Sequence, residues 1–412
     1  MRVTVGDIGH GGVCVARLAA DEETMGTQGR VMFVRGAIPG EDVEVQVTKK
    51  KRAYWEANVV DVYTPSPHRR IPFWAQGAVG VTGAADFSHI EISYQRQLKS
   101  QVIDHVIDRI GGARLREQIG SSGVPVLAVD DGDGWHTRTR IDLTKCPTGM
   151  GMTLERSHDV TPIAHMPMAD SRLDSLDLFG AAWDTDIPTK MRVRAVQPAL
   201  GDPVLCVGDE VFSAPGKRAH THITEAVHTR YGDVTYRVHA RNFWQVHHHA
   251  PEALMEAVLA PAGIEPEMNV VELYSGSGLF SVPIAVRLGE RGVLHTYEGA
   301  EQAVTDAREN LRAYPWAQAH CQRLEVGLSD LVADAEVVIA DPSRSGLGVG
   351  IAGELARCPA EHVVLVSCDP ASMARDVAEL LSCGRYLESI VAYDIFPHTH
   401  HVEIVSVLRR LR

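Results

Sequence analysis

From Met1 to about Tyr63 the chain alternates apolar and polar residues in short runs: "VTVGDIG", "GVCVARL", "RVMFVRG", "EDVEVQVTKK" and "YWEANVVDVY". Gly, Pro or acidic turns break each run, which is the pattern of half-buried strands. Five such runs in about sixty residues predict a small barrel of the oligonucleotide-binding type. The following "TPSPHRR" reads as a linker. "EISYQRQLKSQVIDHVIDRIGG" (Glu91–Gly112) then has the apolar spacing of a helix and stops at a Gly pair. After it "TRTRIDLT", "GMGMTLER", "MRVRAVQPA" and "VTYRVHA" predict a mostly β central region.

The pattern changes from about residue 240. A helical run at Pro251–Leu259 leads to "NVVELYSGSGLF" (Asn269–Phe280), a buried strand ending in a Gly-rich turn. The helix "SVPIAVRLG", the strand "GVLHTYEGA" and the helix "AEQAVTDARENLRAY" follow. "AEVVIADPSRSG" and "HVVLVSCDPAS" are further strands, each ending in a polar loop. Alternating β and α units of this length predict a doubly wound parallel sheet, an α/β domain. Three domains are therefore expected: 1–64, 65–236 and 237–412.

Composition changes this picture little. With 412 residues, 45% hydrophobic and 23% charged, the chain is of ordinary globular type and long enough for more than one core. No stretch reads as a signal peptide or approaches the roughly 18 apolar residues of a membrane span, so a cytoplasmic location and no membrane partner are expected. The net charge of −13 argues against indiscriminate nucleic-acid binding, yet "KKKR" (Lys49–Arg52) and "HRR" (His68–Arg70) are locally basic. Each, taken alone, reads as a solvated charge run. Seven widely spaced cysteines, none in a CxxC pair, exclude a disulfide framework and a local zinc knuckle. Their default state is a small buried hydrophobe.

Candidate chemistry gathers where the parallel strands end. Gly276 and Gly278 let the backbone turn tightly toward a ligand, and Glu298, ending the next strand, is placed to accept from ribose hydroxyls. The third glycine of a dinucleotide fingerprint is replaced by Ser281, so an S-adenosylmethionine site is the better reading than a nicotinamide one. Asp341 and Cys368 end two further strands and should face the same cleft. Asp341 also reads as a turn former before Pro342, and Cys368 as strand-end packing. His398, His400, His401 and Glu403 invite a metal reading. In an extended segment their spacing sends neighbours to opposite faces, so no metal is expected.

Taken in order, "GHGGVCVAR", "GRVMFVRGAIPGEDVEVQV", "NFWQVHHHAPEAL", "ELYSGSGLFS", "DPSRSGL", "VSCDPASMARD" and "FPHTHHVE" resemble the S-adenosylmethionine-dependent RNA uracil-5-methyltransferases that carry an N-terminal TRAM domain. The resemblance covers most of the chain. It implies a TRAM barrel, a Rossmann-like methyltransferase domain, Cys368 as nucleophile and Glu403 as the base that removes the C5 proton. It also implies Gln245, Tyr274, Gly276, Gly278, Leu279, Glu298 and Asp341 around the cofactor or the base. Lys49, Lys50, Lys51 and Arg52 on the barrel become candidate RNA contacts.

The chemistry explains these residue types. Uracil C5 is a poor nucleophile; thiolate addition at C6 makes it an enolate carbon that can take a methyl group, and a carboxylate must then remove the C5 proton. Hydrogen-bond donors at the uracil oxygens would stabilise the enolate, and Gln245 can supply one. The target base must be unstacked, so a loop or disrupted helix is the expected substrate.

The sequence also departs from the family. Many members carry a four-cysteine iron–sulfur cluster after the barrel, but "RRIPFWAQGAVGVTGAADFSHIEISYQRQLKS" contains no cysteine, so no cluster is expected. Packing around Phe73 and Trp74 is the candidate replacement. Leu279 stands for an Asn, Ser343 for a Pro and His247 for an Asn. The barrel favours 23S ribosomal RNA as substrate over transfer RNA, and a monomer is expected. The alternatives are a transfer-RNA uracil-5 enzyme, a cytosine-C5 enzyme, a small-molecule methyltransferase or a non-catalytic RNA-binding assembly factor.

Overall fold

The computed structural model describes residues 1–18 and 29–410. The N-terminal barrel is a six-stranded sheet in which the first predicted run splits into Arg2–Thr4 and Ile8–Gly9. Its alternation is realised as expected: along Val13–Arg17 and Val31–Arg35, Cys14, Ala16, Met32 and Val34 point inward, and each is at most 2% exposed. The predicted linker is not free. Buried Glu41, in the turn before the Asp42–Lys50 strand, accepts from the Arg69 guanidinium and, at 3.0 Å, from the Ser66 backbone N–H. A charged carboxylate with so little solvent needs those donors, so "HRR" is partly structural rather than a solvated run.

The expected central domain, 65–236, does not fold as one unit. Helix α1 (Ile92–Val106) and helix α2 (Gly112–Ile119) pack on the C-terminal domain, and the short strand Val126–Ala128 joins its sheet beside Arg385–Asp394. The Gly pair interrupts the helix through Gly112, whose φ is +73°, but the helix resumes beyond it. Leu98, Val102, Ile103 and Val106 form the buried stripe of α1. Buried Lys99 on the same face pairs with Asp394 at the end of the sheet. What remains of the central region is an antiparallel seven-stranded sheet from Arg140 to Arg218, followed by the hairpin His222–Thr229/Gly232–His239. Trp74 is fully buried in that unit's core, so close to Gly77 that a Cβ there would sit 2.2 Å from the indole. Phe73 is 68% exposed and is not part of that packing.

The C-terminal sheet runs Ala317–Cys321, Val293–Glu298, Asn269–Leu273, Val337–Ala340, His362–Ser367, Glu403–Arg410, Arg385–Asp394 and Val126–Ala128. The first five strands are parallel, and Glu403–Arg410 runs antiparallel to both of its neighbours. Strands such as His362–Ser367, buried at every residue, are the unbroken apolar runs that a sheet covered on both faces requires. Helix α3 (Ala250–Leu259) precedes the Asn269–Leu273 strand, and the crossovers include α4 (Ser281–Leu288), α5 (Glu301–Asn310), α6 (Gly348–Arg357) and α7 (Pro370–Ser382). The reversal of one strand brings its beginning, Glu403, to the sheet edge where the parallel strands end. Among the described residues no helix is long and apolar enough to cross a membrane.

Candidate active site

Cys368 follows the last residue of its strand, and Glu403 opens the neighbouring one. The antiparallel register pairs Ser367 with Ile404, so one step further Cys368 lies opposite Glu403. Facing residues in such a pair lie about 4.5–5.5 Å apart and share a face of the sheet. Tyr393 pairs with Glu403 from the other side, which fixes the carboxyl between two strands.

Both residues line a cavity of about 710 Å³, within the size range of small-molecule sites. Gln245, Tyr274, Gly276, Leu279, Glu298 and Asp341 line it too. Gly278 does not. Its φ of +94°, in the left-handed region that favours glycine, serves the turn. Ser281 itself donates to buried Glu272, whose carboxyl burial pushes up to about 8. Tyr274 also has a left-handed backbone, φ +62°, a strained conformation that aims the chain into the turn.

Each Glu298 oxygen accepts one backbone N–H, from Gly276 at 3.1 Å and Ala300 at 2.8 Å, leaving further lone pairs for a ligand. Among the described residues the Gln245 amide makes no hydrogen bond, so its donors and acceptor are available to the cavity. Sequence reasoning missed Phe243, 69% exposed at the cavity wall, and Arg344, which lies 3.4 Å from His401 there; His401 was singled out only in the metal reading. Phe243 and Arg344 sit inside "NFWQV" and "DPSRSG", and a positive side chain or an aromatic in a ligand-lining loop was the available signal.

The electrostatics are dominated by clustered acids. Burial, and then the nearby Glu298, pushes the Asp341 carboxyl up to about 7, although one edge stays accessible. Glu403 is pushed well above the carboxylate range by burial and then by Asp341. Burial, Glu403 and Asp341 together push the Cys368 thiol up to about 12, against a smaller opposite effect of Arg344. Three acids around one cavity suit a cationic ligand, and Leu279, Phe280 and Ala303 supply an apolar wall beside them. The donor set therefore fits S-adenosylmethionine, which carries polar hydroxyls, a flat apolar base and a positive charge.

The N-terminal residues 1–60 match the TRAM domain family, and residues 319–411 match the tRNA (Uracil-5-)-methyltransferase family. An RNA methyltransferase of Streptomyces avermitilis, itself uncharacterized, is 31% identical over 98% of this chain and 97% of that protein. The chain belongs to the RNA uracil-5-methyltransferase family. The 23S rRNA (uracil(1939)-C(5))-methyltransferase of Alkalilimnicola ehrlichii is 28% identical, covering 92% of each chain. The fold matches that of Pyrococcus abyssi tRNA (uracil-54, C5)-methyltransferase in complex with S-adenosyl-L-homocysteine, with a TM-score of 0.69, 21% identity and 99% of both chains covered.

Of the three positions at which this methyltransferase departs from the family, Leu279 and His247 sit in defined surroundings. Leu279 offers the cavity only an apolar side chain, while its carbonyl accepts from the buried Tyr236 hydroxyl at 2.7 Å. Buried His247 lies 3.2 Å from Asp130, and the two group with His248 within 4.8 Å. His247 Nδ1 already accepts the His249 N–H at 3.1 Å, which puts the ring proton on Nε2, facing Asp130. The Nδ1 lone pair is thus already used within the chain, and Nε2 makes a close charge contact with Asp130. The three loop histidines have separate partners: His398 stacks on Trp135 at 3.9 Å, His400 bonds Asp86 at 2.6 Å, and His401, whose ring centroid is 4.1 Å from that of His400, faces Arg344. For Ser343 nothing in the structure explains the change.

The other cysteines mostly match the buried default: Cys14, Cys146, Cys206 and Cys358 are buried and Cys383 is half-buried. Cys321 is exposed, because it ends the sheet's edge strand. On the barrel, Lys49, Lys50 and Arg52 are exposed near the tip of a long hairpin, away from the cavity. Lys50 lies over the Trp55 ring at 4.5 Å and Lys51 pairs with Glu56 at 3.3 Å.

Iodoacetamide labelling of Cys368 in the ligand-free protein, followed by peptide mass spectrometry, tests the raised thiol. The neutral thiol predominates at neutral pH, so the rate should climb about tenfold per pH unit from about pH 7 to about pH 9. A plateau near pH 8 would contradict it.

Proposed function

We propose that this methyltransferase forms 5-methyluridine in 23S ribosomal RNA, with Cys368 as nucleophile and Glu403 as base. The reading rests on one observation above all: a half-buried thiol and a buried carboxyl face each other across two strands in a cavity that fits the methyl donor. Bound S-adenosylmethionine supplies the methyl group. Glu298 holds the ribose, and Asp341 and Tyr274 line the rest of the cofactor's site.

Phe243 at the wall stacks against the flipped base, and the free Gln245 amide reads its polar edge. The Cys368 thiol gives its proton to solvent and adds to C6 as the thiolate; after methyl transfer Glu403, as the carboxylate, takes the proton from C5, and the C6–S bond breaks so that the thiolate leaves. Lys49, Lys50 and Arg52 hold RNA phosphates along the barrel. The TRAM domain and the names of the ribosomal-RNA relatives favour 23S RNA.

Methyl incorporation from labelled S-adenosylmethionine into unmodified 23S rRNA and tRNA transcripts tests the substrate. Label in 23S RNA, mapping to a uridine, is expected. Preferential label in tRNA would replace this reading with the transfer-RNA one, and no label in any RNA would favour a non-catalytic assembly factor.

A further inference from the structure

His10 lies in the barrel turn between Ile8–Gly9 and Val13–Arg17, far in sequence from the catalytic residues. Its Nε2 is 2.7 Å from Oδ2 of Asp369, the residue next to Cys368. The other Asp369 oxygen caps α7, accepting the N–H groups of Ala371 at 3.0 Å and Ser372 at 2.9 Å. The aspartate is thus shared, one oxygen holding the helix start and the other holding the barrel. Capping fixes the direction in which the chain enters a helix, so whatever restrains Asp369 also restrains the backbone just before it. That backbone carries Cys368.

The same turn touches the second catalytic loop. A Cβ at Gly12, where φ is +72°, would sit 2.8 Å from His400 Cβ and 2.6 Å from the Phe87 ring. His400 is held in turn by Asp86, which lies 3.6 Å from Arg35 of the barrel. The barrel therefore bears on both loops, and its link to Asp369 reaches the neighbour of the nucleophile. Burial works against the Asp369 charge, but the hydrogen bonds from His10 and the Ser372 N–H outweigh it and bring the carboxyl down to about 2, while His10 is raised by Asp369.

We propose that His10 is a positioning residue for Cys368: through Asp369 the barrel turn sets the loop that carries the nucleophile. This rests on the reading of Cys368 as nucleophile. It makes the N-terminal barrel a working part of the active site as well as an RNA-binding module.

The test follows adduct formation with RNA containing 5-fluorouridine under single-turnover conditions, for wild type, His10→Ala, Asp369→Asn and the double variant. Small misplacements of a reacting group cost up to about 10²-fold in rate. His10→Ala should therefore slow adduct formation at saturating RNA at least about 10-fold, with the half-saturating RNA concentration unchanged. The double variant should be no slower than the worse single variant, and His10→Gln, which keeps a donor, should recover most of the rate. Melting temperatures near wild type confirm that the half-exposed position tolerates the changes.

A wild-type rate in His10→Ala, an effect confined to the half-saturating RNA concentration, or multiplying effects in the double variant would overturn the inference. No adduct with wild type would remove the nucleophile reading and this inference with it, whereas an adduct formed equally fast by His10→Ala removes this inference alone.

Discussion

Replacing Cys368 with Ala is expected to abolish methyl transfer, by at least about 10⁴-fold, which corresponds to more than about 5 kcal/mol of barrier. The size follows from the chemistry. Without a covalent bond at C6 the pyrimidine C5 has too little electron density to attack a methyl group, and no geometry or binding energy substitutes for it. Folding should be nearly unaffected. The residue is only half-buried and its thiol makes no hydrogen bond that holds the loop, a task left to Asp369. Cys383 and Cys358 cannot stand in for it. Both are remote from the cavity wall, and Cys358 lies beneath the Arg385 guanidinium. Tritium incorporation into RNA, read beside a melting curve, separates lost chemistry from lost fold.

Glu403→Gln should act later in the cycle. The amide is nearly isosteric and fits between Cys368 and Tyr393, so addition to C6 and methylation at C5 remain possible. Gln cannot accept the C5 proton, and loss of a general base costs about 10²–10⁴-fold. The methylated adduct should therefore accumulate on ordinary RNA and appear as a denaturation-resistant protein–RNA species. In the wild-type protein that species is transient. Burial and Asp341 hold the native Glu403 carboxyl well above its usual range, so it must give up its own proton before it can take the one from C5, and it then holds that proton strongly. Steady-state turnover would fall while the first turnover stayed fast. Rapid release by this variant would assign the proton removal to another group, with Asp341 the nearest candidate.

The barrel and the alternating sheet were readable because each rests on a local pattern. Period-two runs closed by turns make the strands of the first, and apolar runs followed by helices make the second. The candidate residues at strand ends were readable for the same reason, since a parallel sheet collects its loops at one edge. What escaped is long-range. The strand Val126–Ala128 is three residues long, carries no periodicity, and finds its place only because α1 and α2 have docked on the C-terminal domain. That docking is what broke the expected 65–236 domain.

"TPSPHRR" connects the barrel to the next segment without helix or named strand beyond Thr64, but its anchoring was not legible, because its partner, Glu41, lies in the barrel. Cys368 and Glu403 could each be named from motifs. That they face one another depends on the reversed last strand and its register, which no local window contains. His10 and Asp369 are separated by 359 positions and share no motif, so only the folded chain pairs them.

The most direct measurement uses RNA with 5-fluorouridine at the modified site, incubated with S-adenosylmethionine and the protein, then denatured, digested and sequenced by mass spectrometry. Fluorine at C5 cannot leave as a proton, so the covalent intermediate is trapped. The account predicts one cross-linked tryptic peptide, "CPAEHVVLVSCDPASMAR" (Cys358–Arg375), with fragment ions placing the methylated fluorouridine on Cys368 and not on Cys358. A cross-link on any other cysteine, or methylated RNA with no cross-link, would contradict it.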